Sequence, residues 1–395
     1  MVAAVLLIGL NLRGPLVALP PVAAAIRSDL HVSAPAFGLL TSLPVLCFGR
    51  AAPLGLVVVR RFGADRAILF CLAGVVAGTV LRSAGPFPLA LAATVLLGVA
   101  ITVGNVAVPV LIRAEVARTA RATVTGLYSS GLNTGTMLTS VATVPLAAVL
   151  GWRVATAAWS LLGIVAAAYW LWVLARNRAA LPPAPGPGPR TQPEPAATAR
   201  HDLRDALPWL LTVTFSAQAF SYYGVTAWLP TLLHDETGLP PAAAGGASAI
   251  FQVAGLIGST TVPLLARRTR PRWLLMGVGV LWCILPIGLL LAPGAFALWS
   301  VVGGAAQGGG FSAIFAILVV AARDERHSSF LSAFVQGTGY VVAAAAPTLV
   351  GALHAASGEW ALPLSAVVVS TLVFLIVGGF AAASAAGRGE GARSG

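Results

Sequence analysis

The sequence contains no lysine, and its 12 acidic residues stand against 24 arginines. Charged side chains make up 9% of the chain, where a soluble domain is usually near a quarter charged. That scarcity excludes an ordinary solvated globule. The three cysteines, Cys47, Cys71 and Cys283, fall inside apolar segments without metal-ligand spacing, so neither a disulfide framework nor a cysteine metal centre is expected. All five histidines, His31, His201, His234, His327 and His354, lie in loops or near segment ends. No Ser, His and acid combination shares a depth, so no enzyme, metal or cofactor is expected. What fills the chain instead is apolar: 58% of the 395 residues are hydrophobic and the mean hydropathy is +0.89, which describes an integral membrane protein.

The formal charge of +12 would suit a nucleic-acid partner if the arginines were spread over one surface. They are not. Almost all stand in short clusters between apolar runs, as in Arg60, Arg61 and Arg66, then Arg113, Arg118 and Arg121, then Arg267, Arg268, Arg270 and Arg272. The opposite side has only Arg27, Arg82 and Arg153. By the positive-inside bias both termini are expected to be cytoplasmic, and the absence of lysine beside the richness in alanine, glycine and proline suggests a GC-rich bacterial genome, so a bacterial inner membrane is expected. The charge reflects topology, and the partners expected are the lipid bilayer and a small-molecule solute for a monomeric protein, not nucleic acid.

A helix crosses the hydrocarbon with about 20 apolar residues. Sliding that length along the sequence gives twelve candidates, near 2–24, 36–58, 67–83, 88–111, 123–149, 154–174, 208–232, 242–265, 273–292, 295–320, 329–353 and 361–382. The fold class predicted is all-α, a bundle of twelve transmembrane helices. Between the sixth and seventh lies NRAALPPAPGPGPRTQPEPAATARHD (177–202), too poor in large apolar side chains to order itself. It separates residues 1–176 from 206–395, with 177–205 as a flexible cytoplasmic linker. The halves repeat weakly: VALPPVAAAIRSDLHVSAPAFGLL parallels AWLPTLLHDETGLPPAAAGGASAI, and VPLAAVLGW (144–152) parallels APTLVGALHAASGEW (346–360). Internal duplication of this kind marks secondary transporters, whose substrate site lies near the midplane between the halves.

Several stretches carry a resemblance. GLNLRGPLVALPPVAAAIRSDLHVSAPAFGLLTSLPVLCFG (9–49), GNVAVPVLIR (104–113), TGLYSSGLNTG (125–135), YYGVTAWLP (222–230), AQGGGFSAIFAIL (306–318) and VQGTGYVVAAAAPTLVGALH (335–354) look like the cyanate and nitroimidazole transporter branch of the major facilitator superfamily. The resemblance spans essentially the whole chain and implies the major facilitator fold, two pseudo-symmetric six-helix bundles working by alternating access. Two departures stand out. The superfamily's Gly-x-x-x-Asp-Arg-x-Gly loop signature survives as GLVVVRRFGADR (55–66), with Val59 where an acidic residue usually stands. Asp65 is the candidate to take over part of its bracing role, beside Arg60, Arg61 and Arg66 as gating residues. Arg50 occupies a position that is apolar in the family pattern.

The chemistry concentrates on Arg13, midway along the first helix. An arginine at the bilayer centre costs roughly 2.5 to 3.5 kcal/mol on insertion scales and therefore faces protein or water. Gly14-Pro15 follows, and a helix-interior proline removes one backbone hydrogen bond and crowds the carbonyl four residues earlier, that of Asn11. Arg13 has two readings: a planar, bidentate donor to a carboxylate-like solute, or a group that ties down freed carbonyls. Arg50 is likewise either a second cavity cation or a residue satisfied by backbone. No carboxylate is expected at midplane, so a conventional Asp/Glu proton relay is disfavoured and an anion-preferring cavity favoured. Polar and aromatic candidates at similar depth are Asn11, Asn105, Tyr128, Asn133, Gln218, Tyr222, Tyr223, Trp228, Gln252, Gln307, Phe311, Gln336 and Tyr340. Gln218 and Tyr222, and Gln336 and Tyr340, are four apart and so share a helix face. In GGAAQGGG (303–310) the glycines read as close helix packing, since a phosphate loop needs a preceding strand.

The function predicted is a secondary active transporter of a small anionic or polar nitrogenous solute, cyanate-like or a small carboxylate. The alternatives are an exporter of neutral aromatic compounds such as nitroimidazoles and, from another class, a channel or a transporter-like receptor.

Overall fold

The computed structural model describes residues 2–117, 119–178, 205–266, 268–322 and 325–394. Most of the linker read from sequence, together with Arg118, Arg267 and Arg323, lies outside the described residues. Every regular element among the described residues is helical, as a bilayer demands of a chain that must satisfy its own backbone hydrogen bonds. The elements are α1 (Val2–Val17), a 3-10 turn (Pro20–Val22), α2 (Ala23–Leu30), α3 (Ala34–Arg50), α4 (Ala52–Ala84), α5 (Phe87–Glu115), α6 (Arg121–Ala158) and α7 (Ser160–Arg178). After the linker come α8 (Ala206–Thr237), α9 (Pro241–Leu265), α10 (Pro271–Leu291), α11 (Phe296–Ala321), α12 (Glu325–Ala343), α13 (Ala345–Ser357) and α14 (Ala361–Ser394).

Nine helices among the described residues are long and apolar enough to span a membrane. The twelve passes read from the sequence emerge once the breaks are respected. Gly63 (φ 83°) interrupts α4 and Gly151 (φ 75°) interrupts α6, a left-handed backbone conformation that only glycine adopts without strain. Each break turns the chain from one pass into the next. The pass α8 is missing from the nine because its polar side chains, Gln218, Tyr222 and Tyr223 among them, dilute its hydropathy.

Helices α1 to α7 pack mainly on one another, through the pairs α4–α5, α1–α6 and α4–α7, and α8 to α14 through α9–α11, α10–α14 and α8–α14. The closest of these pairings is α9 against α11, where Gly258 lies on the Ala305 carbonyl, Gly304 on the Phe251 carbonyl and Gly308 on the Gly255 carbonyl. This is the close packing expected of the glycine run at 303–310.

The two groups of helices meet along α3, whose Gly49 lies on the Gly337 carbonyl of α12, and at the end remote from the start of α1. There α3 packs on α13, with Gly38 against Pro347 and Thr348 and with Ser42 hydrogen-bonded to Thr348 across 3.0 Å. Val144 of α6 packs on Gly245 of α9. Trp228, 1% exposed, donates its indole N–H to the Pro347 carbonyl at 2.7 Å and stands edge-on to Phe37, 5.7 Å away.

On that same remote rim the repeat shows in side chains. Asp29 accepts from Trp152 Nε1 (3.2 Å) and pairs with Arg153 (2.8 Å), which lies over the Trp152 ring. Asp235 accepts from Trp360 Nε1 (3.0 Å), while His354 stacks on Trp360 at 4.1 Å and approaches Asp235 at 3.9 Å. The aspartate and tryptophan recur, and their third partner changes from arginine to histidine.

Arg82, expected at the exterior end of the 67–83 span, is 2% exposed inside the last turn of α4. Its guanidinium bonds the Pro15 carbonyl at 2.8 Å. The helix ends at Ala84, close to the expected boundary; what the sequence does not show is that packing buries this end.

Candidate functional site

A cavity of about 1120 Å³ occupies the space between the two groups of helices. Its wall extends from Pro20 at the closed end to Leu56, Thr125, Phe315 and Ser332. Helix α1 contributes Arg13, which is half-buried and makes no hydrogen bond or ion pair with any described residue. Its guanidinium is in electrostatic reach of four phenols, Tyr222, Tyr223, Tyr340 and Tyr128. No aspartate, glutamate or histidine is among the described lining residues.

Opposite Arg13 the wall is aromatic. Tyr222 and Tyr223 stand edge-on at 4.9 Å, Tyr223 and Tyr340 at 6.4 Å, Tyr340 and Phe48 at 5.6 Å, and Tyr222 and Phe311 at 6.0 Å. These edge-to-face contacts are the geometry that ring quadrupoles prefer, and they fix the rings in place. Phe215 supports the group from behind, edge-on to Tyr340 at 5.1 Å and to Phe311 at 5.6 Å.

The polar complement is spread around the ring. Tyr128 donates to Asn105 Oδ1 at 3.2 Å and Gln252 Nε2 reaches Thr226 Oγ1 at 3.4 Å. Asn133, Gln307 and Gln336 also line the cavity. The cavity therefore gathers Arg13, Asn105, Tyr128, Asn133, Tyr222, Tyr223, Gln252, Gln307, Phe311, Gln336 and Tyr340, drawn from seven helices and both halves. Thr41, Phe48, Ser129, Thr226, Ser259 and Ser312 line it as well. Nothing in the sequence singles out the hydroxyls among these, because serine and threonine usually bond the carbonyl about one helical turn back, as Thr41 does to Gly38.

Four expected site residues lie elsewhere. Asn11 is 1% exposed and donates to the carbonyls of Leu7 (2.8 Å) and Leu162 (3.2 Å), on the face of α1 turned towards α7. Gln218 is fully buried and donates to the Gln307 carbonyl at 2.8 Å, so it joins α8 to α11 behind the cavity wall. Trp228 belongs to the closed end described above. Arg50 is exposed in the last turn of α3 and is not among the lining residues. Asn11, Gln218 and Arg50 are turned away from the cavity by rotation about their helix axes, whereas Trp228 lies at its closed end.

The gating candidates flank the break at Gly63. Arg60, Arg61 and Arg66 are exposed, with Arg61 over the Phe62 ring at 5.6 Å. Asp65 is half-buried, and its backbone carbonyl accepts from Trp170 Nε1 at 3.2 Å. Val59, in the place of the signature's acidic residue, is buried.

Among the described residues, many membrane-spanning helices gathered about a central cavity that carries one cation and an aromatic wall have the build of a transporter of small molecules. The sequence profile of the Major Facilitator Superfamily matches residues 1–290, and the chain belongs to that superfamily. It is 28% identical over 382 residues to the 2-nitroimidazole transporter of Escherichia coli (strain K12), covering 96% of this chain and 94% of that protein. It is also 28% identical over 363 residues to the cyanate transport protein CynX of the same organism, covering 91% of each. Among solved structures, a bacterial homolog of the human lysosomal transporter Spinster, in an inward-facing and unoccupied conformation, superposes with a TM-score of 0.78 at 17% identity, covering 97% of this chain and 96% of that one. The branch inferred from the motifs is the one to which these sequence relatives belong.

Proposed function

We propose that this protein moves a small anionic or polar nitrogenous solute across the bacterial inner membrane by alternating access, as a monomer with both termini cytoplasmic. Residues 1–176 and 206–395 rock against each other about the cavity, and 177–205 connect them. The observation that carries the reading is the unpaired Arg13 in a cavity whose described wall holds no carboxylate. A cation left without a counter-charge in a low-dielectric space attracts an acceptor, and guanidinium suits one with two adjacent oxygens or a compact negative charge.

The aromatic wall favours a second reading within the same site. A planar ring could rest against Tyr222, Tyr223 and Tyr340 while its oxygen-bearing substituent meets Arg13. A nitro group presents two coplanar oxygens much as a carboxylate does, so the names of the two relatives, one for cyanate and one for 2-nitroimidazole, describe solutes compatible with this geometry.

Counterflow in proteoliposomes tests both. Radiolabelled cyanate and 2-nitroimidazole are offered in turn, with benzoate as competitor, to the wild-type protein and to Arg13→Gln. The reading expects saturable exchange of at least one solute and its loss in Arg13→Gln at unchanged reconstitution. Normal exchange by Arg13→Gln removes Arg13 from the site.

A further inference from the structure

Arg82 and Asn11 are buried polar side chains that the transport reading leaves without a role. They stand on opposite flanks of the turn that carries Arg13. Asn11 and Pro15 are four residues apart and share one face of α1, whereas Arg13, two residues from each, points the other way. That back face is bonded at both positions: Asn11 Nδ2 donates to the Leu162 carbonyl of α7 at 3.2 Å, and Arg82 Nη2 of α4 donates to the Pro15 carbonyl at 2.8 Å.

The local backbone explains why such bonds are needed. Pro15 has no N–H for the Asn11 carbonyl, and Pro20 and Pro21 have none for the carbonyls of Leu16 and Val17. From Asn11 to Val17 the internal ladder of α1 is thus depleted of donors, and its own hydrogen bonds fix its rotation poorly. Arg82 supplies a charged donor at this weak point. Its Nε and Nη1 have no hydrogen-bond partner among the described residues, so the one bond that its buried charge makes is to this turn. A buried charge is costly to keep and is retained where its geometry does something an apolar residue cannot.

We infer that Arg82, with Asn11, is a positioning residue: the two hold α1 in the rotation that turns the Arg13 guanidinium into the cavity. The assignment rests on the reading of Arg13 as the solute contact, but the geometry it describes is measurable without transport.

The test uses full-length protein in which Cys47, Cys71 and Cys283 are replaced by alanine and Arg13→Cys serves as reporter. The probe is 2-sulfonatoethyl methanethiosulfonate, and the readout is its rate of reaction with the reporter. Adding Arg82→Met is expected to slow labelling by about tenfold or more, the factor that follows from losing a charge-assisted hydrogen bond. A separate Tyr340→Cys reporter on α12 should change by less than about twofold. Arg82→Lys, which keeps a charged donor, should restore most of the rate. An unchanged Arg13→Cys rate in Arg82→Met overturns the inference, as does an equal change at Tyr340→Cys, which would mark general loosening. Should Arg82→Met not fold, Asn11→Ala carries the same test from the α7 side, with slower labelling expected and an unaltered rate overturning the inference. If Arg13→Gln keeps its transport while these rates still respond to Arg82, the substrate assignment fails and the positioning stands.

Discussion

Gly38→Ala is the substitution for which the closed end of the molecule makes the sharpest demand. A methyl group at position 38 would lie 2.7 Å from the Thr348 Cα, 2.8 Å from the Pro347 carbonyl oxygen and 2.9 Å from the Thr348 nitrogen. Ordinary carbon contacts stand near 3.5 to 4.0 Å, so α3 and α13 would have to separate by about 1 Å. Backbone atoms cannot swing aside as a side chain can, and strain of this kind typically costs about 1 to 3 kcal/mol. The cost falls only on the conformation in which α3 and α13 touch. If the protein alternates, the closed-to-open ratio at this end should drop by roughly 5- to 150-fold. Spin labels at Ala25→Cys and Ala242→Cys, both exposed at the remote end and in opposite halves, read this as pulsed-EPR distances. A longer-distance population should appear or grow in Gly38→Ala. An unchanged distribution in a folded variant would refute the claim that this contact holds the end shut.

Two further substitutions separate the cavity from its surroundings. Arg50→Ala should leave KM and the maximal transport rate within about twofold, because an exposed side chain outside the cavity contributes little; a larger fall in uptake of cyanate or 2-nitroimidazole would return Arg50 to the site. Gln218→Ala removes a fully buried donor from the Gln307 carbonyl, at about 1 to 3 kcal/mol of stability. Thermal unfolding followed by tryptophan fluorescence should fall while KM holds, and a raised KM at unchanged melting temperature would contradict its placement behind the wall.

How far the sequence could be read depended on which coordinate of a membrane helix was in question. Depth was legible, since a run of apolar residues between arginine clusters fixes how far along the bilayer normal a side chain sits. That is why Arg13, Asn105, Tyr128 and Tyr340 could be placed at the cavity from spacing alone. Rotation was not. Helices apolar on every side carry no polar face to set their phase, so Asn11 and Gln218, correct in depth, turned out to face neighbouring helices. For Arg82 the depth was legible and the burial was not, because only the packing of α4 against the broken end of α1 gives it a buried partner. The turns at Gly63 and Gly151 fall in the breaks read between the spans 36–58 and 67–83 and between 123–149 and 154–174, but their backbone form, a single residue with positive φ in place of a loop, leaves no mark on hydropathy.

The abutment of α9 on α11 bears on what the cavity can accept. With Gly258, Gly304 and Gly308 resting on the opposing backbone, and Ala254, Val262 and Gln307 set against Gly304, Gly309 and Gly255, neither helix can slide or tilt without tearing the other's contacts. They behave as a single stave. The side of the cavity that they build, from Gln252 and Ser259 to Gln307 and Phe311, therefore keeps its internal spacing whatever the rest of the protein does. Adjustment to a larger or smaller solute falls to the facing wall, where α1 is already weakened by its prolines.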